Sequence, residues 1–343
     1  MARPNADSVG RKYQVVGIGN AVVDVLSHVE EAFLAQHRIR KGIMQLVDLD
    51  RASELYGLMQ DAEEVSGGSV ANTIAGIARL GGRTAYIGKV VDDHLGQVFS
   101  EDMRAQGASF DTVPAAKSAP YESGRCMVFI SPDGERSMNT YLGAAEHLSA
   151  RDIDASAIAS SEWLLLEGFR LDGVDSIEAY SRAISLSRKH GCQVALTLSD
   201  PACVERNRQA FVDLLADGID LLLCNEAELK AMFAAPSLGE SLRQASHQSS
   251  MVACTRGAKG TVLIDRGVVS EVPALKVQVV DATGAGDQFA TGLFFGLVAG
   301  HNPVDACRLG SIAAAEVISH VGARPVADLG REFSERGLGL DGG

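Results

Sequence analysis

The chemistry of this chain is most concentrated in Asp281-Ala282-Thr283-Gly284-Ala285-Gly286-Asp287. Beyond this stretch, Phe289, Leu293, Phe294, Leu297 and Val298 recur at helical spacing as far as Gly300, and Pro303 follows. Ahead of it, the apolar run Val277 to Val280 reads as a buried strand. Gly284-Ala285-Gly286 is therefore predicted to open a helix, where unpaired N–H groups and the positive dipole end favour an anion. Without Cβ atoms at 284 and 286, a phosphate can come close to the backbone. Asp287 places a carboxylate where a phosphate would sit. Since like charges repel, it makes most sense as a base that takes a proton from the group attacking that phosphate. A plainer reading is a tight turn whose aspartate serves the helix dipole.

Four other stretches carry polar groups at predicted strand ends or helix starts. In Gly17-Ile18-Gly19-Asn20-Ala21-Val22-Val23-Asp24, a strand runs into a glycine turn, but the third glycine of a dinucleotide fingerprint is missing because residue 22 is Val. Asp24 is placed just beyond a strand end, where open α/β sheets bind ligands, and its carboxylate can take two hydroxyl hydrogen bonds. In Ser66-Gly67-Gly68-Ser69-Val70-Ala71-Asn72, paired glycines expose the backbone at a helix start and Asn72 offers both donor and acceptor. A helix cap by Ser69 is the simpler account of that stretch. Asn225-Glu226-Ala227-Glu228 follows the strand Leu221 to Cys224 and can order the waters of Mg²⁺, or serve as an N-cap with acids in the first turn. Thr255-Arg256-Gly257-Ala258-Lys259-Gly260 reads as a glycine hairpin.

The elements that must position these groups follow from periodicity. Strands are predicted at Gln14–Gly19, Gly42–Val47 and Thr84–Val90, with helices over Ala52–Met59, Val70–Leu80 and Leu95–Ala105. Arg125–Ile130 and Glu135–Leu142 form two strands around the turn Ser131-Pro132-Asp133-Gly134. From Trp163 onward strand and helix alternate: strands at Trp163–Leu166, Gln193–Leu198, Leu221–Cys224 and Met251–Thr255, helices at Ser176–Lys189, Val204–Leu215 and Glu226–Phe233. Such alternation predicts an α/β fold with a doubly wound, mostly parallel sheet. The β-rich pieces at about 24–48 and 108–145 break the alternation and are assigned to a small sheet lying as a lid over the ligand edge. Residues 11–335 are taken as one domain, with 1–10 and 337–343 disordered.

Composition narrows the function classes. The 343 residues are 46% hydrophobic and 22% charged, which is a globular balance. The net charge of −13 disfavours nucleic acid and anionic membranes as partners. Six cysteines show no CxxC pair and no metal-finger spacing, so free thiols in a reducing compartment are expected. There is no apolar signal core at the N-terminus and no run long enough to span a bilayer, so a cytoplasmic location is expected. Monomer and homodimer both stay open.

Asp-x-Thr-Gly-Ala-Gly-Asp resembles the C-terminal signature of the ribokinase (PfkB) family of carbohydrate and nucleoside kinases. The resemblance runs in family order from residue 17 to 287, and Gly322-Ala323 matches a late family feature. It implies a ribokinase-like fold, ATP and Mg²⁺ as cofactors, and a small-molecule nucleoside or sugar as acceptor. By the same resemblance Gly284, Ala285 and Gly286 form the anion hole and Asp287 is the catalytic base. Asp24, Gly67, Gly68 and Asn72 hold acceptor hydroxyls. Asn225 and Glu228 handle phosphate and Mg²⁺, Glu228 through water. Thr255, Gly257 and Gly260 lie along the nucleotide, with Ser311 near the adenine. Many members bind a monovalent cation such as K⁺, for which Asp281, Thr283 and backbone near Gly322 would be ligands. Ile87 to Gly96 departs from its family counterpart at Lys89 and by an extra aspartate, and reads as structural.

Three features lean toward a nucleoside acceptor. Gly19-Asn20-Ala21-Val22-Val23-Asp24 resembles the opening of adenosine kinases, with Ala for Pro. Glu135 to Ala145 resembles their lid segment, and Glu167-Gly168-Phe169 places an aromatic after a strand as they do. Phe169 can stack on a purine or sit in the core. Arg136 can swing with the lid onto phosphate or remain a solvated lid arginine. The expected activity is γ-phosphoryl transfer from ATP to the 5′-OH of adenosine. The alternatives are a sugar kinase of the same family or a non-catalytic nucleotide- or sugar-binding regulator.

Overall fold

A computed structural model describes residues 10–59 and 61–339. The remaining residues of the two predicted disordered tails, 1–9 and 340–343, lie outside that range. Within 337–339, the Leu338 N–H donates to the Phe333 carbonyl at 2.9 Å and its side chain packs beside Phe295 and Phe333.

Two sheets organise the chain. The large sheet contains β1 (Tyr13–Ile18), β5 (Thr84–Ile87), β8 (Ser161–Glu167), β9 (Gln193–Thr197), β10 (Ile219–Asn225), β11 (Ser249–Thr255), β12 (Thr261–Asp265) and β13 (Val268–Val272). Its order is β5-β1-β8-β9-β10-β11-β12-β13, parallel through β11 and antiparallel for the last two strands. Its strands read as apolar runs because both faces are covered. On β8, Leu164 and Leu166 enter the core under α5 (Ala155–Ala159), α6 (Ser176–His190), α7 (Pro201–Ala216), α8 (Glu226–Phe233) and α9 (Leu238–Gln248). Trp163 and Leu165 face the opposite core, under α3 (Ser69–Arg79), α4 (His94–Ala105), α10 (Ala285–Val298) and α11 (Pro303–Val317). Period-two side-chain alternation thus feeds two cores from one strand. A final helix, α12 (Leu329–Glu335), packs on α11.

The small sheet has the order β3-β7-β6-β2-β4, built from β2 (Val22–His28), β3 (Met44–Leu46), β4 (Glu63–Gly67), β6 (Gly124–Ile130) and β7 (Arg136–Tyr141). One face is covered by α1 (Glu31–Gln36) and α2 (Leu49–Gly57), with Leu34, Ala52 and Leu55 against Met127 and Phe129. The other face carries Leu26, Cys126, Val128, Ile130 and Met138.

Three expectations are corrected here. The lid also takes β4, which the polar run Glu63-Glu64 hid from a hydrophobic pattern. Residues 108–115 contribute to the other sheet instead, bridging β5 and its following loop at Ala85–Ser109 and Val91–Ala115. Val277 to Val280 is not a buried strand: Val277, Val279 and Val280 are exposed, and the Val280 N–H donates to the Ile318 carbonyl at the end of α11. The chain there returns from the outer edge of the sheet to α10, and no neighbouring strand offers it a ladder.

Candidate active site

Gly19 to Ala21 carries the chain from β1 in the large sheet directly into β2 in the small one. A strand, not a helix, follows the turn, which removes the dinucleotide fingerprint. Asp24 therefore lies within β2, opposite Val65 and Cys126, not beyond a strand end. Gly67 and Gly68 are required by what surrounds them. A Cβ on Gly67 would lie 2.4 Å from the Asp24 carboxyl carbon. Gly68, at φ +101°, would drive one to 2.4 Å from the Asn20 carbonyl.

The α10 N-terminus meets the start of α3 at Asp287. The Ser69 hydroxyl donates to Asp287 Oδ1 at 2.6 Å and Asn72 Nδ2 donates to Oδ2 at 3.1 Å. Ser69 thus serves Asp287 across the cleft and does not cap its helix; the cap position belongs to Gly68, without a side-chain bond. Gly284 adopts φ +77°, and a Cβ there would sit 2.6 Å from the Ala323 carbonyl oxygen, so Gly322-Ala323 closes over the turn. Gly286 faces open space. The first turn of α10, Ala285, Gly286 and Asp287, lines the cleft, and the Ala285 N–H donates back to the Ala282 carbonyl at 3.3 Å.

The cleft, of about 540 Å³, runs between the sheets along the C-terminal edge of the large one. It brings together Asp24, Gly68, Asn72, Phe169, Asn225, Glu228, Thr255, Thr283 and residues 284–287. Gly67 stands behind Asp24. Gly257, Gly260, Ser311 and Asp281 do not line it, and the Ser311 hydroxyl is turned back to the Cys307 carbonyl of its own helix. Phe169 is half-buried, one side against the core and one toward the cleft.

Buried carboxylates define the electrostatics. Burial pushes Asp287 up to about 6, opposed by the donors Ser69 and Asn72 and reinforced by Asp24. Burial likewise raises Asp24 to about 6, against the charges of Arg136 and Arg324. Glu167, at the end of β8, is raised by burial to about 7 although it accepts from the Val70 N–H at 3.0 Å and the Asn20 N–H at 3.3 Å. It ties the β1–β2 turn to the start of α3. In Glu167-Gly168-Phe169 the motif resemblance singles out Phe169 and not the glutamate, whose signal in the sequence is a charged residue ending an otherwise apolar strand.

Asn225 and Glu228 form a capping box: Asn225 Oδ1 accepts from the Glu228 N–H at 2.9 Å, and Glu228 Oε2 from the Asn225 N–H at 2.8 Å. Glu228 is raised by burial to about 7, with Asp200 adding to the rise. Two carboxylates at this edge suit a water-held divalent ion. Arg136 is neither solvated nor free. It is buried on β7 and pairs with Asp281 at 3.3 Å. Asp281 also accepts from the Thr283 N–H at 2.9 Å and the Gly322 N–H at 3.1 Å, so the guanidinium supplies positive charge beside the proposed monovalent-cation ligands.

A parallel α/β sheet with a lid sheet, a glycine-framed helix N-terminus and an adjoining carboxylate define a phosphotransferase that uses an alcohol acceptor. The pfkB family carbohydrate kinase profile matches residues 42–328, and the chain belongs to that family. It is similar to a 5-dehydro-2-deoxygluconokinase of Bacillus licheniformis, 28% identical over 74% of this chain and 80% of that protein. Among solved structures it is similar to a probable sugar kinase from Rhizobium etli, at 37% identity and TM-score 0.87, covering 96% of this chain and 99% of that one. It is also similar to the adenosine kinase from Sinorhizobium meliloti, at 39% identity and TM-score 0.86, covering 95% and 99%. No helix among the described residues is long and apolar enough to cross a membrane.

Proposed function

We propose that this sugar or nucleoside kinase phosphorylates a nucleoside, with the 5′-OH of adenosine as acceptor. The observation that carries the reading is the lid side of the cleft. Val22, Met44, Leu46, Met138 and Leu142 line it, with Phe169 facing from the helical turn just after β8. A flat purine gains from such a surface, whereas a bare polyol would strip its hydroxyls of water against it. The similarity to the Sinorhizobium meliloti adenosine kinase supports the same choice.

In this reading Asp24 and Asn72 grip the ribose hydroxyls, and Asp287 accepts the proton of the attacking hydroxyl. The N–H groups of Gly284, Ala285 and Gly286 hold charge that develops on the transferred group. ATP would supply the phosphoryl group, and Asp200 and Glu228 would hold Mg²⁺ through water, where the ion would offset phosphate charge. Asn225 and Thr255 border the nucleotide end of the cleft. Asp281 and Thr283 mark where a monovalent cation would sit, beside Arg136. The lid excludes water from the reacting groups.

ADP release measured over a panel of nucleosides and sugars tests this. Adenosine should give the highest kcat/KM. Ribose, fructose or a deoxygluconate turning over far better would replace the nucleoside with a sugar, as the named sugar-kinase relatives would favour. ATP binding without turnover of any acceptor would instead indicate a regulator.

A further inference from the structure

Arg324 lies outside every motif that marks the site, yet its side chain reaches the site's centre. Its Nε donates to Asn72 Oδ1 at 3.2 Å, and Asn72 Nδ2 donates onward to Asp287 at 3.1 Å. The guanidinium is itself fixed. Nη1 donates to Asp102 Oδ2 at 2.8 Å, and Nη2 donates to the Ser66 hydroxyl at 2.6 Å and to the Ser66 carbonyl. Asp102 is anchored in turn by the Ser66 N–H at 3.0 Å and the Gln106 amide at 3.1 Å.

We propose that Arg324 is a positioning residue for phosphoryl transfer, fixing the Asn72 amide so that its NH₂ group, and not its carbonyl, faces Asp287. The inference rests on the reading of Asp287 as the base. A carboxamide has two ends of nearly equal shape and opposite hydrogen-bonding character. A guanidinium only donates and an ionised carboxylate only accepts, so an asparagine held between them has one satisfied orientation. Turning it over would face NH₂ to guanidinium and carbonyl to carboxylate.

The surroundings make that orientation matter. Asp24 from β2 and Glu167 from β8 both set negative charge near Asp287, and Arg136 from β7 acts on Asp24. Ser69 and Asn72, both from α3, are the donors that oppose them. The Arg324 backbone follows Ala323, which covers Gly284 and accepts from Gln288 Nε2 at 3.1 Å. One short segment therefore touches the phosphate end through its backbone and orders the acceptor end through its side chain.

The test uses the full chain with saturating ATP and adenosine, measuring kcat between about pH 5 and 9 for wild type, Arg324→Met and Arg324→Lys. Arg324→Met should move the acid limb of the profile upward by about one pH unit, so that kcat falls roughly tenfold at the low-pH end and recovers toward wild type at the high-pH end. Arg324→Lys should restore part of the displacement. A purely structural role would lower kcat by the same factor at every pH, and an unmoved limb in a folded Arg324→Met protein overturns the proposal. If Arg324→Met does not fold, Arg324→Lys decides: it keeps the charge but loses the planar guanidinium, and its acid limb must lie above that of wild type by a smaller amount. Asp287→Asn separates the two readings. Near-normal turnover in that variant removes the base itself, whereas an inactive Asp287→Asn beside an unmoved Arg324→Met limb removes only Arg324.

Discussion

The two ends of the cleft are built by different means. The phosphate end is centred on one contiguous piece, residues 282–287 at the start of a single helix, with Ala323 against it. The acceptor end is assembled from β2, β4, β7, β8, the start of α3 and the segment after α11. Their carboxylates differ in the same way. Asp287 has two side-chain donors on it, whereas Asp24 has none among the described residues and depends on the fields of Arg136 and Arg324. A helix N-terminus presents its N–H groups wherever it forms, so the phosphate end can be common to many acceptors. The acceptor end depends on which distant side chains meet, and it can change without disturbing the other.

That contrast can be broken at several points. The largest effect belongs to Asp287→Asn, which should lower kcat by about 10²–10⁴ with ATP binding retained. Single-turnover kinetics with a nucleotide-binding control checks this, and equal loss of binding would blur the division between the ends. Asp24→Ala should raise KM for the acceptor by about 10- to 100-fold, the size of lost hydrogen bonds to a charged group, with KM for ATP nearly unchanged. If the KM for ATP rises in parallel, the ends are coupled. Met138→Gln on the lid should raise KM for adenosine by about tenfold, through lost apolar contact, and affect ribose less. A reverse preference would point to a sugar.

The smallest effect is on stability. Glu167 and Glu228 are each raised by burial to about 7, so the native state holds protons that the unfolded chain releases near its ordinary carboxylate range. Groups with raised folded values withdraw stability as pH climbs from the unfolded value through the folded one. The melting temperature of the ligand-free protein should therefore fall by roughly a few degrees between about pH 5 and 8. A melting temperature that rises across that interval would show these carboxylates to be more solvated than the fold places them.

How much was legible follows from where each contact's partners lie in the chain. The regular alternation after Trp163 announced the parallel sheet because each strand and helix is a local pattern. β4 escaped because it opens on two charged residues, Glu63 and Glu64, and only pairing with β2 makes it a strand. Val277 to Val280 misled for the converse reason: its composition suits a strand, but strand formation needs a neighbour. Ser69 looked like a helix cap by position, and only the approach of α10 turned its hydroxyl to Asp287.

The sequence by itself determined the phosphate end. Gly284-Ala285-Gly286-Asp287 must be contiguous to open a helix with a carboxylate in its first turn, and contiguity is what a sequence records. Only the tertiary structure decided the acceptor end, where Asn72 meets Arg324 across 252 residues, and the pairing of Arg136 with Asp281 across 145. Hydrogen bonds of that range depend on side-chain direction and burial after the sheets have packed, and residue type and local spacing carry neither.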